Sequence, residues 1–492
     1  MYKELIQKID ERIEAARADV AAMTIELVNI KSVEDTPLPG APFGAGPRKV
    51  LDTVMEKGKE IGLYPVDYNV GVVSIAMKDS EPDLGVWIHG DVVPEGVGWK
   101  FDPYNAVEYN GCIIGRGVTD NKGQFAAAYH VLKIFKELNI ELNYNPAIYV
   151  GSNEESGMKD LLGMPGNPDA KGFLNVCTPP KVSFVPDTAF PAGCMGKGAL
   201  RLLVRSKTPL KNFTFIAGQD DAPGRATAVF PAQNGFPETL PECNIAKQED
   251  GSFVVTADSP PVHGTKPDPA GNMITKLSAA LLEYCDMSDS ERTVMEFFKR
   301  TSKDVYGTLM GLEVINEEMG NLTVFSKRAD FDDDYPALFL DIRYPIDITY
   351  AQIVKKVEAE AAKFDFEVAE IRRGANPYKM EPNPEIMDTL CRASEDVLCE
   401  KKKPFCVTGN AYGHYLPNSY AFGMNGNLPP ADFPKGRGGA HGIDEAVSLD
   451  RLNIAMRIYA RAFLALNDVE LCGSEPLEIR ACQRDRLCPI EK

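Results

Sequence analysis

Positive charge is in short supply: 53 Lys and Arg face 71 Asp and Glu, for a formal net charge of −18 over 492 residues. A chain this acidic repels phosphate backbones and anionic headgroups, so nucleic acid and membrane surfaces are excluded as partners. Long apolar runs are missing as well, and no stretch approaches the roughly 20 residues that cross a bilayer. The opening Met1-Tyr2-Lys3-Glu4-Leu5-Ile6-Gln7-Lys8 interleaves charges with apolar residues and does not read as a signal peptide. None of the 11 cysteines forms a Cys-x-x-Cys pair. That speaks against a thiolate zinc site or a disulfide framework and suits a reducing cytoplasm. Histidine is scarcest of the chemically useful residues, with only five: His89, His130, His263, His414 and His441. All but His130 adjoin a glycine, as side chains presented from irregular backbone do.

What is present concentrates between Val86 and Gly123. Val86-Trp87-Ile88 reads as a buried strand running into His89-Gly90-Asp91-Val92-Val93-Pro94. Residues two apart on an extended chain face one side, so His89 and Asp91 can sit together. A carboxylate in that place can fix the tautomer of an imidazole. Gly115-Arg116-Gly117-Val118-Thr119-Asp120-Asn121-Lys122-Gly123 then sets Asp120 just before an apolar-periodic run from Phe125 to Leu138. Taken singly, these features read equally well as a strand-end turn and a helix cap. His130, in the middle of that helix, reads as structural.

A second strand, Ala147–Val150, ends in Gly151-Ser152-Asn153-Glu154-Glu155-Ser156-Gly157. Adjacent carboxylates at a strand end point different ways and can do different jobs, although alone the pair reads as a solvated turn. A third strand from Val182 leads to Asp187. Such alternation, with polar groups at strand ends, is the pattern of an α/β sheet that presents a site at one edge. The next comparable signature is Gly438-Gly439-Ala440-His441-Gly442-Ile443-Asp444-Glu445. If His89 and His441 share a site, the block between must leave and rejoin the first domain. At this length two or three domains are expected.

The His-x-Asp-x-Val-Pro and Gly-Arg-Gly-x-x-Asp-x-Lys-Gly steps together resemble the metallopeptidase family of aminoacylases, carboxypeptidase G, carnosinases and the bacterial dipeptidase V group. The resemblance covers residues 1 to about 465. It implies an α/β catalytic domain with a mixed, zinc-peptidase-like sheet made of both chain ends (1–195 and 384–467), a large inserted α+β lid (196–383) and a tail (468–492) of no assigned role. It further implies two divalent ions, zinc by preference with manganese or cobalt as alternatives, since a His and carboxylate set suits all three. His89 and Asp187 would hold one ion, Glu155 and His441 the other, and Asp120 would bridge. Glu154 would be the general base, Asp91 would orient His89, and a non-proline cis peptide is expected at Asp120–Asn121.

In the inserted block, His263 matches the family's lid histidine that steadies the oxyanion. Arg343 matches the arginine that grips a substrate carboxylate, a task suited to a guanidinium; a surface salt bridge with Asp341 or another acid is the plainer alternative. Gly409 matches a glycine-rich substrate wall, and His414 beside it suits a wall or hydrogen-bonding role better than a ligand. The chain departs from the dipeptidase pattern at Ala228-Val229-Phe230-Pro231, where relatives carry an asparagine in place of Ala228. The expected activity is hydrolysis of small unblocked dipeptides by a cytoplasmic monomer. The alternatives are an N-acyl amino acid deacylase or desuccinylase of the same family and, more remotely, a non-catalytic binding protein on this scaffold.

Overall fold

The structure is a computed structural model that describes residues 2–164, 166–167, 169–218, 224–259, 271–424, 432–433 and 437–471. His263 lies outside the described residues. The described residues divide into two units: one holds the residues up to Cys194, Met380–Val407 and those from Ala411 to Leu471, and the other holds Met195–Lys379 with Thr408–Asn410. The architecture is α/β with mixed sheets, the class expected.

The first unit is built on a six-stranded sheet in the order Tyr64–Asp67, Val72–Ala76, Pro146–Gly151, Leu84–His89, Val182–Val185, Ser419–Ala421. Its four last-named strands run parallel. Every residue of Leu84–His89, Pro146–Gly151 and Val182–Val185 is buried, as strands covered on both faces must be. Parallel register makes these strands end together. His89 pairs with Gly151, and Val86 with Phe184, so His89, the loop after Gly151 and the segment after Val185 leave from one edge.

A three-stranded antiparallel sheet of Val107–Tyr109, Cys112–Ile114 and Ala446–Ser448 joins the two ends of the chain. Ala446 lies opposite Ile114, which sets Glu445 beside Gly115-Arg116. The helix after Asp120 is Gly123–Glu137 and is almost wholly buried. His130 within it is 2% exposed and its Nδ1 lies 2.8 Å from the Ala126 carbonyl, the structural role expected.

The inserted unit is an eight-stranded antiparallel sheet ordered Asn244–Lys247, Phe253–Asp258, Arg225–Phe230, Thr214–Ala217, Thr323–Asp332, Tyr335–Tyr344, Gly198–Ser206, Phe366–Arg373. Helices Met273–Tyr284, Asp289–Lys303 and Tyr350–Ala361 share its apolar core. Alternation in Arg225–Phe230 puts Ala226, Ala228 and Phe230 into that core, which is why an apolar residue suits position 228. Capping boxes start two of the helices, Ser288 with Glu291 and Thr349 with Gln352.

Tyr64–Asp67 and Val72–Ala76 form a hairpin in which Asn69 and Gly71 take positive φ and turn the chain back. The amino-terminal segment folds as two helices, Tyr2–Ala15 and Arg17–Val28.

Gly151 closes its strand against the phenol of Tyr412 and the carboxylate of Asp160, and a Cβ there would strike Oη of one and Oδ2 of the other. Gly151→Ala should therefore cost about 1–3 kcal/mol of stability by overpacking. Urea unfolding checks this, and an unchanged midpoint would show that the strand end has room to spare.

Candidate metal centre

His89 is the last residue of its strand, is 1% exposed, and makes contacts through both ring nitrogens. Nδ1 lies 3.0 Å from the backbone carbonyl of Asp91, and Nε2 lies 2.8 Å from Oδ1 of Asp120. A carbonyl only accepts, so on the neutral ring Nδ1 carries the proton and Nε2 turns its lone pair to the site. The Asp91 carboxylate, expected behind His89, stands 3.7 Å from Nδ1 and has a second task. Its two oxygens accept the backbone N–H groups of Glu154 and Glu155, each at 3.1 Å. The main chain of residue 91 thus orients the imidazole, while its side chain anchors the Glu-Glu turn.

Asp160 anchors that turn from the other side. Its Oδ2 accepts N–H from Ser152 at 2.7 Å and Asn153 at 3.0 Å, together with the Tyr412 hydroxyl at 2.6 Å. A loop held so firmly can aim Glu154 and Glu155 differently. Glu154 is 8% exposed and its buried Oε1 has no hydrogen-bond partner among the described residues. Glu155 Oε1 lies 2.9 Å from Nε2 of His441.

Asp120 sits at the kink of a π-turn, Val118–Lys122, and its peptide bond to Asn121 is cis, as expected. One carboxylate oxygen faces each histidine: Oδ1 is 2.8 Å from His89 Nε2, and Oδ2 is 3.2 Å from His441 Nε2. His441 takes positive φ in a turn after Gly439. Two groups could each hold a metal ion, His89 with Asp120 and Asp187, and Asp120 with Glu155 and His441, with donor atoms within 4.8 Å of one another. Asp120 belongs to both. The chain thus brings together all five residues expected as ligands, though they span His89 to His441.

The electrostatics favour cations here. Burial first, and then the charges of Asp187, Glu155 and Asp91, push the Glu154 carboxyl well above its usual range. Burial and the charge of Asp120 do the same to Asp187. Burial by itself lowers the pKa of both imidazoles, but Asp120 on His89, and Asp120 with Glu155 on His441, draw both above the ordinary range. Crowded carboxylates with an orphaned oxygen and His/carboxylate donors fit a pair of divalent ions.

Sequence reasoning passed over Arg116 and Glu445, both at most 1% exposed, which hold the Asp120 loop. The signal was the charged residue inside each glycine-bearing motif. Arg343 donates to Asp341 through Nε at 2.7 Å and Nη2 at 3.0 Å, and through Nη1 to the Thr408 carbonyl at 3.3 Å, so the salt bridge offered as its plainer reading is present. Gly409 falls in the same unit, and open space surrounds the position a Cβ would take. His414 is 3% exposed, with Nδ1 3.4 Å from the Ala411 nitrogen, and belongs to neither donor group.

A sequence model of peptidase family M20/M25/M40 matches residues 86–465. The chain belongs to this family. It is a metallopeptidase of the M20 type, and its relatives include a Staphylococcus haemolyticus protein named "Putative dipeptidase", 26% identical over 495 residues that cover 95% of this chain and 99% of the relative. A Staphylococcus aureus protein of the same description is 25% identical over 493 residues, again 95% of this chain and 99% of the relative. Among solved structures, human carnosine dipeptidase 1 superposes with a TM-score of 0.58 at 14% identity, covering 94% of this chain and 99% of that one. An M20 metallo-carboxypeptidase from Sulfolobus solfataricus gives 0.51 at 15% identity, covering 92% and 99%. At these identities the two structures speak for the M20 fold alone.

The raised imidazole pKa values carry a pH signature. The stabilisation these imidazolium–carboxylate contacts give the metal-free fold is complete below about 6.5, the ordinary histidine pKa, and is lost as pH rises through the higher folded-state values. At pH 7 a metal ion must displace those protons. Zinc titrated into metal-stripped protein should therefore show a heat that changes with the ionisation enthalpy of the buffer; identical heats in phosphate and Tris would contradict protonated histidines.

Proposed function

We propose that this M20 metallopeptidase is a dipeptidase that hydrolyses small unblocked dipeptides, working as a cytoplasmic monomer with two zinc ions, or with manganese or cobalt in their place. The observation that carries the reading is the Asp120 carboxylate, with one oxygen on His89 and the other on His441, next to an unpartnered Glu154 Oε1. In this reading His89 and Asp187 hold one ion, Glu155 and His441 the other, and Asp120 is shared. Divalent ions held there supply a water of lowered pKa and polarisation of the scissile carbonyl.

The protein's own groups do the rest. Glu154 takes a proton from water at Oε1 and returns it to the departing amine, acting as base and then as acid. Burial and the neighbouring carboxylates raise its proton affinity, which suits a group that must take up a proton and then pass it on. Asp91 keeps Glu154 on station through the backbone, and its carbonyl fixes the His89 tautomer.

Arg343 binds the substrate's terminal carboxylate. Support comes from its burial and from Asp341, which fixes the guanidinium in place while, among the described residues, three of its five N–H donors are committed. His263 steadies the oxyanion, a role resting on its Pro-Val-His-Gly-Thr setting alone. Gly409 lines the substrate wall. Support for a dipeptide over a longer chain comes from the naming of the staphylococcal relatives. Among the described residues no helix is long and apolar enough to cross a membrane.

Glu154→Gln should lower kcat by about 10²–10⁴-fold while leaving metal content unchanged. Elemental analysis beside turnover checks this, and a variant that keeps its rate would remove Glu154 from the mechanism. A panel of free dipeptides and N-acetyl or N-succinyl amino acids should favour the dipeptides in kcat/KM; preference for the acyl set would make the protein a deacylase.

A further inference from the structure

The buried pair Arg116 and Glu445 contributes no side chain to either candidate ion group, yet each reaches across to the backbone of the segment that carries the other's ligand. Arg116 precedes Asp120 by four residues, and its Nη2 donates to the backbone carbonyl of His441 at 3.3 Å. Glu445 follows His441 by four residues, and its Oε1 accepts the N–H groups of Thr119 at 3.0 Å and Asp120 at 3.2 Å. Its Oε2 accepts from Gly117 N at 3.0 Å and from Arg116 Nη1 at 2.7 Å. Arg116 Nη2 also lies 3.4 Å from the Glu95 carbonyl and 3.5 Å from that of Pro94. Glu445 is 0% exposed and Arg116 1%.

A buried ion pair offsets its desolvation cost only in part, so it is a poor device for stability and a good one for fixing geometry. Here the pair crosses between two glycine-bearing turns with little regular structure of their own. The Asp120 turn is a π-turn with non-helical backbone at Asp120, and His441 holds positive φ. The short strand pairing of Ala446 with Ile114 brings the segments together but does not set how far the two side chains stand apart.

We propose that Arg116 and Glu445 form a reciprocal clasp that sets the spacing of Asp120 and His441, making both positioning residues for the metal group of Asp120, Glu155 and His441. The proposal rests on the reading of Asp120 and His441 as ligands. The clasp touches two of the three donors of that group but only Asp120 in the group with His89 and Asp187. Loosening it weakens one ion far more than the other.

The test uses full-length wild type, Glu445→Gln and Arg116→Lys, stripped of metal and titrated with Zn²⁺ against a competing chelator, with Co²⁺ absorption spectra and metal-free thermal melts recorded in parallel. Wild type should bind two ions. Each variant should bind one ion within about 3-fold of wild type and the other 10–100-fold more weakly, the usual effect of losing an outer partner of a ligand. The Co²⁺ spectrum should change for the weak ion only, and activity should recover at raised metal concentration. Folded variants that bind both ions as wild type does would overturn the clasp and leave a structural ion pair. Should one variant fail to fold, the other carries the test; failure of both would overturn the proposal too, because a positioning pair leaves the fold standing. If wild type itself binds fewer than two ions, the underlying ligand reading fails instead.

Discussion

Like charge crowded at one buried sheet edge is the constraint on which the rest of the site depends. Asp91, Asp120, Glu154 and the neighbouring Asp160 are all buried where water cannot solvate their charge. Each uncompensated carboxylate there costs several kcal/mol, so each must find a donor, a cation or a proton. The fold answers differently at each position. Asp91 and Asp160 take backbone N–H groups, Glu445 takes Arg116 and three N–H groups, and Asp120 lies between two imidazoles. Glu154 Oε1 is left over. The carboxylates bound by main chain make scaffolding, and Asp120 is left to the candidate ion groups.

Scaffolding of this kind turns short, irregular turns into rigid supports. The loop after Gly151 has no regular structure at Glu154 and Glu155, yet it is pinned by Asp91 on one side and by Asp160 with Tyr412 on the other. Behind it, Trp87 stacks on Tyr149 with ring centroids 4.4 Å apart, and Tyr412 packs edge-on at 6.0 Å. The aromatic layer takes the place of the regular hydrogen bonding that a loop lacks and holds Glu154 and Glu155 in fixed directions.

In the inserted unit the same economy of charge operates on one face of a sheet. Leu338, Leu340 and Ile342 point into the core, so Asp341 and Arg343 emerge together on the opposite face. Arg201, paired across from Asp341, brings a second guanidinium to within 3.6 Å of its carboxylate. Asp341 therefore holds Arg343 in one orientation on that face. The buried Ala228 shows the opposite case, in which strand alternation explains the residue without reference to any ligand.

Periodicity and short motifs are local properties, and what they encode was legible in the chain. Apolar runs at Val86–Ile88 and Ala147–Val150 announced buried strands, and the family resemblance carried by the motifs at their ends named the five residues that the structure gathers into two candidate donor groups. The cis peptide after Asp120 was implied by the same resemblance, and the structure has it. Tertiary structure alone decided which polar groups answer one another. That Asp91 spends its carboxylate on the Glu154–Glu155 backbone, and that Arg116 meets Glu445 across 329 positions, depends on parallel register and on the pairing of Ala446 with Ile114. Hydrogen bonding between distant segments leaves no periodic trace in a sequence, because its partners are chosen by proximity in space.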